Sequence, residues 1–463
     1  MGIGNVRDYD LVDLTFLTAT GSVKLPFTSV EISYQEDLFS SVVSGYILVA
    51  ESQGYAEFLA LTGNEFLHLQ FNKSGDTTNQ INRWFRVYKI DKRKLAENMY
   101  TESYCLHFCS EELMLSEQYK ISKSYPNRLI SDVIYDICTS GGTTGAGTGF
   151  KSLKIPSNKL NIQKTSGLYS FIIPNLKPFD AINWLSVYAL PRPGIPGADM
   201  VFFENKNGFN FLSLQYMMSN AAGNTAGKYY YDPKNYYNTT NPDIVEEFTN
   251  VIAYEIIDTY DALNGVNNGM FANSLISVDI LTRKTTTTNF DYLNYAGPTN
   301  SSGLNKYAIT NNFVNRNGDQ INETNQAVLK LVYSNFDEVN NSYVKAQQAK
   351  YPNTSPIAPN INAETYIPYR TAQLSLDNYT RIKLVVPGDP KLTVGAVIEF
   401  ILPSNNPSEK APNLFMSGNY LITATRHLIS ENEYRTIIEV AKESSATGYP
   451  SPPNDSSWQT AIS

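Results

Sequence analysis

Three histidines, His68, His107 and His427, are all that a chain of 463 residues offers for imidazole chemistry. His68 lies in Phe66-Leu67-His68-Leu69-Gln70-Phe71 and His107 in Tyr104-Cys105-Leu106-His107-Phe108, and both runs alternate like strands. No acid or cysteine spacing beside them spells a zinc set, so they read as polar strand positions. Cys105, Cys109 and Cys138 are odd in number. At i and i+4 of a strand the first two share a face without touching, and all three read as buried free thiols of a reducing cytoplasm. Glu111-Glu112 and Glu246-Glu247 are neighbouring acids. In strands such neighbours face opposite sides, whereas a glycosidase needs two acids converging across a cleft. Asn315-Arg316-Asn317-Gly318-Asp319 has the outline of a calcium loop. Its first and last ligand positions would be Phe313 and Thr324, which cannot serve. The Gly-rich stretch 140–149 lacks the Lys-Ser/Thr of a phosphate loop, and no Gly-x-Ser-x-Gly elbow occurs. The chain is therefore expected to have no catalytic residue, no cofactor-binding residue, no metal ligands and no cofactor, and not to be an enzyme. The basic run Lys89-Ile90-Asp91-Lys92-Arg93-Lys94 reads as a solvated hairpin tip, with an acidic partner surface as the alternative.

What the chain has instead is apolar and aromatic material. Tyr (32) and Phe (22) are abundant, and charged residues are only 17%. The length suits two to four domains with sizeable cores. A net charge of -8 argues against a general nucleic-acid binder, which needs a cationic surface, but suits a conduit that must not grip phosphates. The start, Met1 to Asp13, has no cationic and apolar signal pattern, and no apolar stretch reaches the roughly 18 residues of a membrane span.

The elements follow from periodicity. Residues 1–110 read as strands. From 111 to 237 a mixed α+β module is expected. In it Leu129, Ile130, Val133, Ile134 and Ile137 form a helical stripe capped by Asn127 and closed by Gly141-Gly142. A second helix starts at Pro178 and runs to Tyr188. Met200-Val201-Phe202-Phe203 and Phe209-Asn210-Phe211-Leu212 flank Asn205-Lys206-Asn207-Gly208 as a hairpin. Residues 238–284 and 366–446 return to strands. The Thr/Asn-rich stretch 285–365 is an insertion with a helix over roughly 333–349 and a linker from Pro352 to Pro359, and 447–463 is an extended tail.

A weak self-similarity links the two β regions. Tyr46-Ile47-Leu48-Val49, Leu61-Thr62-Gly63, Val87-Tyr88-Lys89-Ile90 and Asn98-Met99-Tyr100 recur in order as Ile382-Lys383-Leu384-Val385, Leu392-Thr393-Val394-Gly395, Leu421-Ile422-Thr423-Ala424 and Asn432-Glu433-Tyr434. This reads as two copies of one β module.

Several of these residues resemble a known family. Ile32-Ser33-Tyr34-Gln35-Glu36-Asp37-Leu38-Phe39, Ser44-Gly45-Tyr46-Ile47-Leu48-Val49 and Leu61-Thr62-Gly63-Asn64-Glu65 are similar to the opening of contractile-phage baseplate hub proteins. The run Leu176 to Leu185, followed by Phe202 to Phe209, resembles their middle module. The resemblance implies a mainly β fold with an α+β insertion, two homologous tube-like β-barrels and a mixed middle module. It implies a homotrimer, a symmetry adaptor between a hexameric tail tube and a trimeric cell-puncturing spike. The partners would be the spike or tail-lysozyme protein, tail tube initiator proteins, and the tape-measure protein and DNA passing through the lumen. The place would be the virion baseplate, after assembly in the host cytoplasm. Two alternatives stand beside it: the hub-like part of a type VI secretion or related injection spike, and a tail-associated carbohydrate-binding or glycan-degrading protein.

Overall fold

The computed structural model describes residues 8–18, 21–25, 30–52, 54, 62–95, 101–139, 152–192, 199–219, 225–232, 249–259, 261–279, 283–292, 304–308, 320, 329–333, 363–376, 379–404, 412–431 and 433–448. The first half holds β1 (Tyr9–Thr18), β2 (Gly21–Lys24), β3 (Val30–Asp37), β4 (Ser44–Glu51), β5 (Phe66–Lys73), β6 (Gln80–Leu95) and β7 (Glu102–Cys109). Alternation does what it must in β5: Leu67, Leu69 and Phe71 are wholly buried, while Phe66, His68 and Gln70 face outward. The strands pair antiparallel in the order β3-β4-β7-β6-β5-β1-β2.

The middle module holds α1 (Glu111–Gln118), β8 (Ile121–Arg128), α2 (Ile130–Cys138), β9 (Leu160–Ile162), β10 (Thr165–Ser166), β11 (Tyr169–Leu176), α3 (Pro178–Ser186), β12 (Leu190–Pro191), β13 (Met200–Asn205), β14 (Gly208–Ser213) and α4 (Leu214–Ser219). The stripe of α2 buries Ile130, Val133, Ile134 and Ile137 as the spacing requires. Its expected cap is corrected: Leu129 is the N-cap, and Asn127 takes a left-handed turn (φ 51°) near the end of the unanticipated β8. Pro178 opens α3, which stops at Ser186, two residues before the expected end. The hairpin β13–β14 is buried on both faces. Phe202, Phe209 and Phe211 pack with α2 and α3, and Val201, Phe203 and Leu212 pack into the second half. That is why its apolar runs are continuous rather than alternating.

The rest of the chain adds β15 (Thr225–Tyr230), β16 (Ala253–Asp258), α5 (Ala262–Asn267), β17 (Ala272–Asp279), β18 (Lys284–Asp291), β19 (Tyr307–Ala308), β20 (Leu329–Tyr333) and α6 (Ala363–Leu376). It ends with β21 (Thr380–Pro387), β22 (Val397–Ile401), β23 (Gly418–Ser430), β24 (Glu433–Lys442) and β25 (Ser444–Ser445). The ladder β16-β21-β24-β23-β22-β15 repeats β3-β4-β7-β6-β5-β1 strand for strand. In both halves one long strand changes partner midway. β6 pairs with β5 through Gln80–Arg86 and with β7 beyond it; β23 pairs with β22 through Gly418–Leu421 and with β24 beyond it. The backbone bond from Val87 N to Glu65 O, 3.0 Å, has its counterpart from Ile422 N to Ala396 O, 2.8 Å. The last pair differs: β1–β5 is antiparallel and β15–β22 parallel.

Each half curls around its own core. Strands lie about 4.8 Å apart, so four steps along a flat sheet span about 19 Å. Yet Tyr34 on β3 and Phe71 on β5, four steps apart, have ring centroids 6.3 Å apart. Tyr254 on β16 and Phe400 on β22, also four steps apart, lie at 6.4 Å. The two halves join in one 13-stranded sheet, because β23 also pairs with β3.

The strand β17 corrects the expected segmentation. Instead of joining the second half it pairs with β18 and β20, under α6, around Met270, Phe271, Phe290, Tyr292, Ala372 and Leu376. Conversely β15, grouped by sequence with 111–237, belongs to the second half's ladder. Of the expected helix at 333–349, Tyr333 is instead the last residue of β20, and the remainder lies outside the described residues, as do the Pro352–Pro359 linker, Gly141-Gly142, Asn98–Tyr100 and the tail beyond Gly448.

Gly45 on β4 has no room for a side chain. A Cβ there would sit 2.2 Å from the Ser33 carbonyl oxygen and 2.4 Å from Phe108 Cζ. Gly45→Ala is expected to destabilise the fold by about 1–3 kcal/mol, read as a lower urea midpoint at unchanged slope.

Candidate assembly junction

The seam between the halves is a ladder of six residues, Ile32–Asp37 on β3 against Ile429–Ala424 on β23. Each half lends side chains to the other. Leu38 packs in the second half's core, while Ile429 and Tyr434 pack in the first half's. On one face Arg426 donates to Ser33 Oγ at 2.9 Å and to the Tyr46 hydroxyl at 2.8 Å.

The other face carries buried charge. Glu36, on β3, accepts hydrogen bonds from the Tyr34 hydroxyl (2.9 Å), Thr393 Oγ1 (2.5 Å) and Val394 N (3.0 Å). Burial raises its pKa, and those three bonds only partly offset the effect. In the first half the related turn Thr62-Gly63 donates instead to Glu65, at 2.7 and 2.8 Å from the two backbone amides. So one turn is clasped from within its own half and its counterpart from across the seam.

The middle hairpin reaches the same place. Glu204 is wholly buried at the end of β13. It accepts from Val43 N (2.8 Å) and Ser110 Oγ (2.5 Å) and forms an ion pair with Arg83. Arg83 also donates to the Asn205 carbonyl at 2.9 Å. Burial opposes the Arg83 charge, but the adjacent Glu204 carboxylate more than compensates and the guanidinium pKa is raised. Burial, and then the charge of Glu204, push Glu112 up to about 7. Asn205 Nδ2 donates to the Val394 carbonyl at 3.3 Å. One hairpin tip thus holds the first half through Glu204 and the second through Asn205. A cleft of about 400 Å³ lies beside it, lined by asparagines 161, 205, 207 and 210, Phe203 and Thr393.

His427 completes the seam. It is wholly buried, and its Nδ1 lies 2.7 Å from the Tyr434 hydroxyl and 3.2 Å from Thr436 Oγ1. Burial, and then the charge of Lys206, lower its pKa to about 3.

The residues singled out by type scatter across the fold. His68 bridges Asp13 (2.5 Å) and Asn82 (2.9 Å) and stacks on Trp84. His107 lies beside Asp91 and Cys105, and all three thiols are free and buried. Glu111 and Glu112 open a helix rather than a strand, and Glu111 pairs with Arg86 at 3.2 Å. Within the basic run, Lys89 pairs with Asp91 and Arg93 with Glu102. Glu246-Glu247, Asn315–Asp319 and 140–149 lie outside the described residues. Of the residues that meet at the junction, Thr393 lies in the repeated Leu-Thr turn, and Glu36 and Glu204 lie in runs that carry the family resemblance, but nothing in the sequence singled them or Arg83 out as partners. The clearest local signal was an acid, Glu204, set directly after the apolar run Met200–Phe203.

No family model and no curated protein matches the sequence. The fold does match. The 43 kDa tail protein of prophage MuSo2 from Shewanella oneidensis superposes over 93% of this chain and 98% of its own, at 8% identity and a TM-score of 0.50. This chain has the fold of a phage tail protein. A tail protein from Neisseria meningitidis MC58 aligns over 96% of this chain and 99% of its own at 7% identity, with a TM-score of 0.49. A type VI secretion component from E. coli covers 92% of this chain and 77% of its own at 8% identity, with a TM-score of 0.41. Among the described residues of this tail-protein fold, no helix is long and apolar enough to cross a membrane.

Breaking one partner of the buried pair strands the other. Glu204→Met is expected to cost about 3–5 kcal/mol, and adding Arg83→Met to recover part of it, as a double-mutant cycle by chemical denaturation will show. His427 supplies a pH dependence. Its folded pKa lies below the unfolded 6.5, so the unfolded state takes up the proton first. Stability should fall as pH drops from about 6.5 towards 3, and His427→Gln should lack that component in parallel denaturation curves. Glu36 acts in the opposite sense: its folded pKa is raised, so its contribution is lost as pH rises through that value.

Proposed function

We propose that the chain is a structural baseplate hub subunit of a contractile phage tail. In this reading three copies form a ring that joins the hexameric tail tube to the trimeric cell-puncturing spike and leaves a channel for tape-measure protein and DNA. The observation that carries it is the repeated strand order within one polypeptide. Three chains with two equivalent halves present six similar wall segments, so threefold order on one side meets approximate sixfold order on the other. The likeness to a prophage tail protein supports the setting.

The junction suits a mechanical part. Ladder, exchanged core residues and buried charge fix the angle between the halves, and a ring needs that angle constant. Among the described residues the branched 13-stranded sheet ends in β2, β15 and β16, edges on which a neighbouring chain can continue the ladder. Repeating one such head-to-tail contact closes a ring. The net charge of -8 suits a lumen that lets DNA slide. The role is structural rather than catalytic, and the partners are the spike, the tube initiator proteins and the cargo.

Mass measurement in solution tests this. Purified protein is expected at three times the chain mass, and with its spike at that mass plus the mass of the bound spike. A chain that stays monomeric even with spike protein present overturns the proposal.

A further inference from the structure

The outer face of the first half carries a cluster that the hub reading does not use. On β7, Tyr104, Leu106 and Phe108 point into the core, so Cys105 and His107 share the outer face. On β6, Phe85 and Val87 point inward. Unbroken alternation would send Asp91 inward as well. The ladder register instead shifts between Val87 and Lys89. Ile90 then faces the core opposite Leu106, and Asp91 comes out opposite Cys105. A second shift follows between Asp91 and Lys94, with Lys92 at φ 53°. Two irregularities thus bracket one carboxylate, and bulges of this kind re-aim side chains.

Three different ligand types meet there. His107 Nε2 lies 3.1 Å from Asp91 Oδ2 and 3.7 Å from Cys105 Sγ. The three ligand atoms all lie within 4.8 Å of one another. Zinc bonds of about 2.3 Å to sulfur and about 2.0–2.1 Å to nitrogen or oxygen give tetrahedral edges of about 3.6 Å for S···N and about 3.4 Å for N···O. Two edges of the cluster already lie within a few tenths of an ångström of these. Asp91 Oδ1 is shielded from solvent and has no hydrogen-bond partner among the described residues. The Asp91 and His107 side chains remain about a quarter exposed, 26% and 25%, which leaves a way in.

We propose that Asp91, Cys105 and His107 bind one divalent transition-metal ion of the zinc class, with water in the fourth position. Thiolate and imidazole select zinc or cobalt over magnesium or calcium. Burial and then the charge of Asp91 raise the Cys105 pKa, so the empty site holds a neutral thiol. Binding forms the metal–sulfur bond and releases that proton to solvent. Lys89, now 2.7 Å from Asp91 Oδ2, gives way to the ion; its side chain is 56% exposed and free to swing out. The ion staples β6 to β7 where the bulges interrupt their ladder. This holds whether or not the chain is a hub.

Cobalt titration of the full chain, purified without a histidine tag and stripped with chelator, tests it. One equivalent of Co2+ is expected to give a thiolate-to-cobalt charge-transfer band that Zn2+ displaces. Cys105→Ser should abolish the band, while Cys109→Ser and Cys138→Ser keep it. His107→Gln should weaken binding by more than the about 10- to 100-fold that loss of an outer-shell partner costs. A parent protein without the band, or a band that survives in Cys105→Ser, overturns the assignment. So does full affinity in His107→Gln, which decides the matter even if Cys105→Ser does not fold.

Discussion

Six residues of ladder between β3 and β23 hold the molecule to a single shape. Without them the two curled sheets would meet only through the middle hairpin and side-chain contacts. With them β23 has three neighbours, and the halves become one surface. The ladder alone fixes register but not angle. The angle comes from side chains that cross it: Leu38 one way, Ile429 and Tyr434 the other. Glu36 and Glu204 then tie the seam to the Thr393-Val394 turn and to the middle hairpin. Buried charges of this sort add little net stability, because desolvation consumes most of their attraction. They are intolerant of misplacement, however, since an unpaired buried charge costs several kcal/mol, of order 3–5. A junction built this way selects one arrangement rather than strengthening any.

Much of this was legible in the order of residues. Leu67, Leu69 and Phe71 announce a half-buried strand, Pro178 announces a helix start, and Asn207-Gly208 announces a hairpin. The ordered recurrence of short motifs announced the duplicated ladder. What stayed hidden was partnership. β15 and β17 are both plain strands by composition, and nothing local says that one joins β22 and the other β18. The helix α6 carries Pro368 in its interior, which argues locally against a helix. Its burial against β17 and β18 outweighs that objection. The junction was invisible for the same reason, since Glu36 and Thr393 are 357 positions apart. The trio Asp91, Cys105 and His107 was concealed by a one-residue shift that no alternation pattern encodes.

The two halves also show how little sequence such a ladder needs. They share strand order, a partner-switching long strand and a ring contact across four steps, yet only scattered letters. The prophage tail protein keeps the same architecture at 8% identity. Cores tolerate wholesale exchange of apolar residues when volume and pattern persist. Polar ties are replaced more freely still: Glu65, just ahead of β5, clasps one turn from its own half, while Glu36 on β3 clasps the counterpart from the other half.

The seam has a consequence for biosynthesis. β3 leaves the ribosome long before its outer neighbour β23, which is translated only after nearly four hundred further residues. Until then the nascent first half displays an unpaired edge and lacks Ile429 and Tyr434 from its core. Such an edge invites wrong pairing. A chain that stops short of β23 and β24 therefore never reaches the finished shape, because the edge of β3 stays open and two core positions stay vacant.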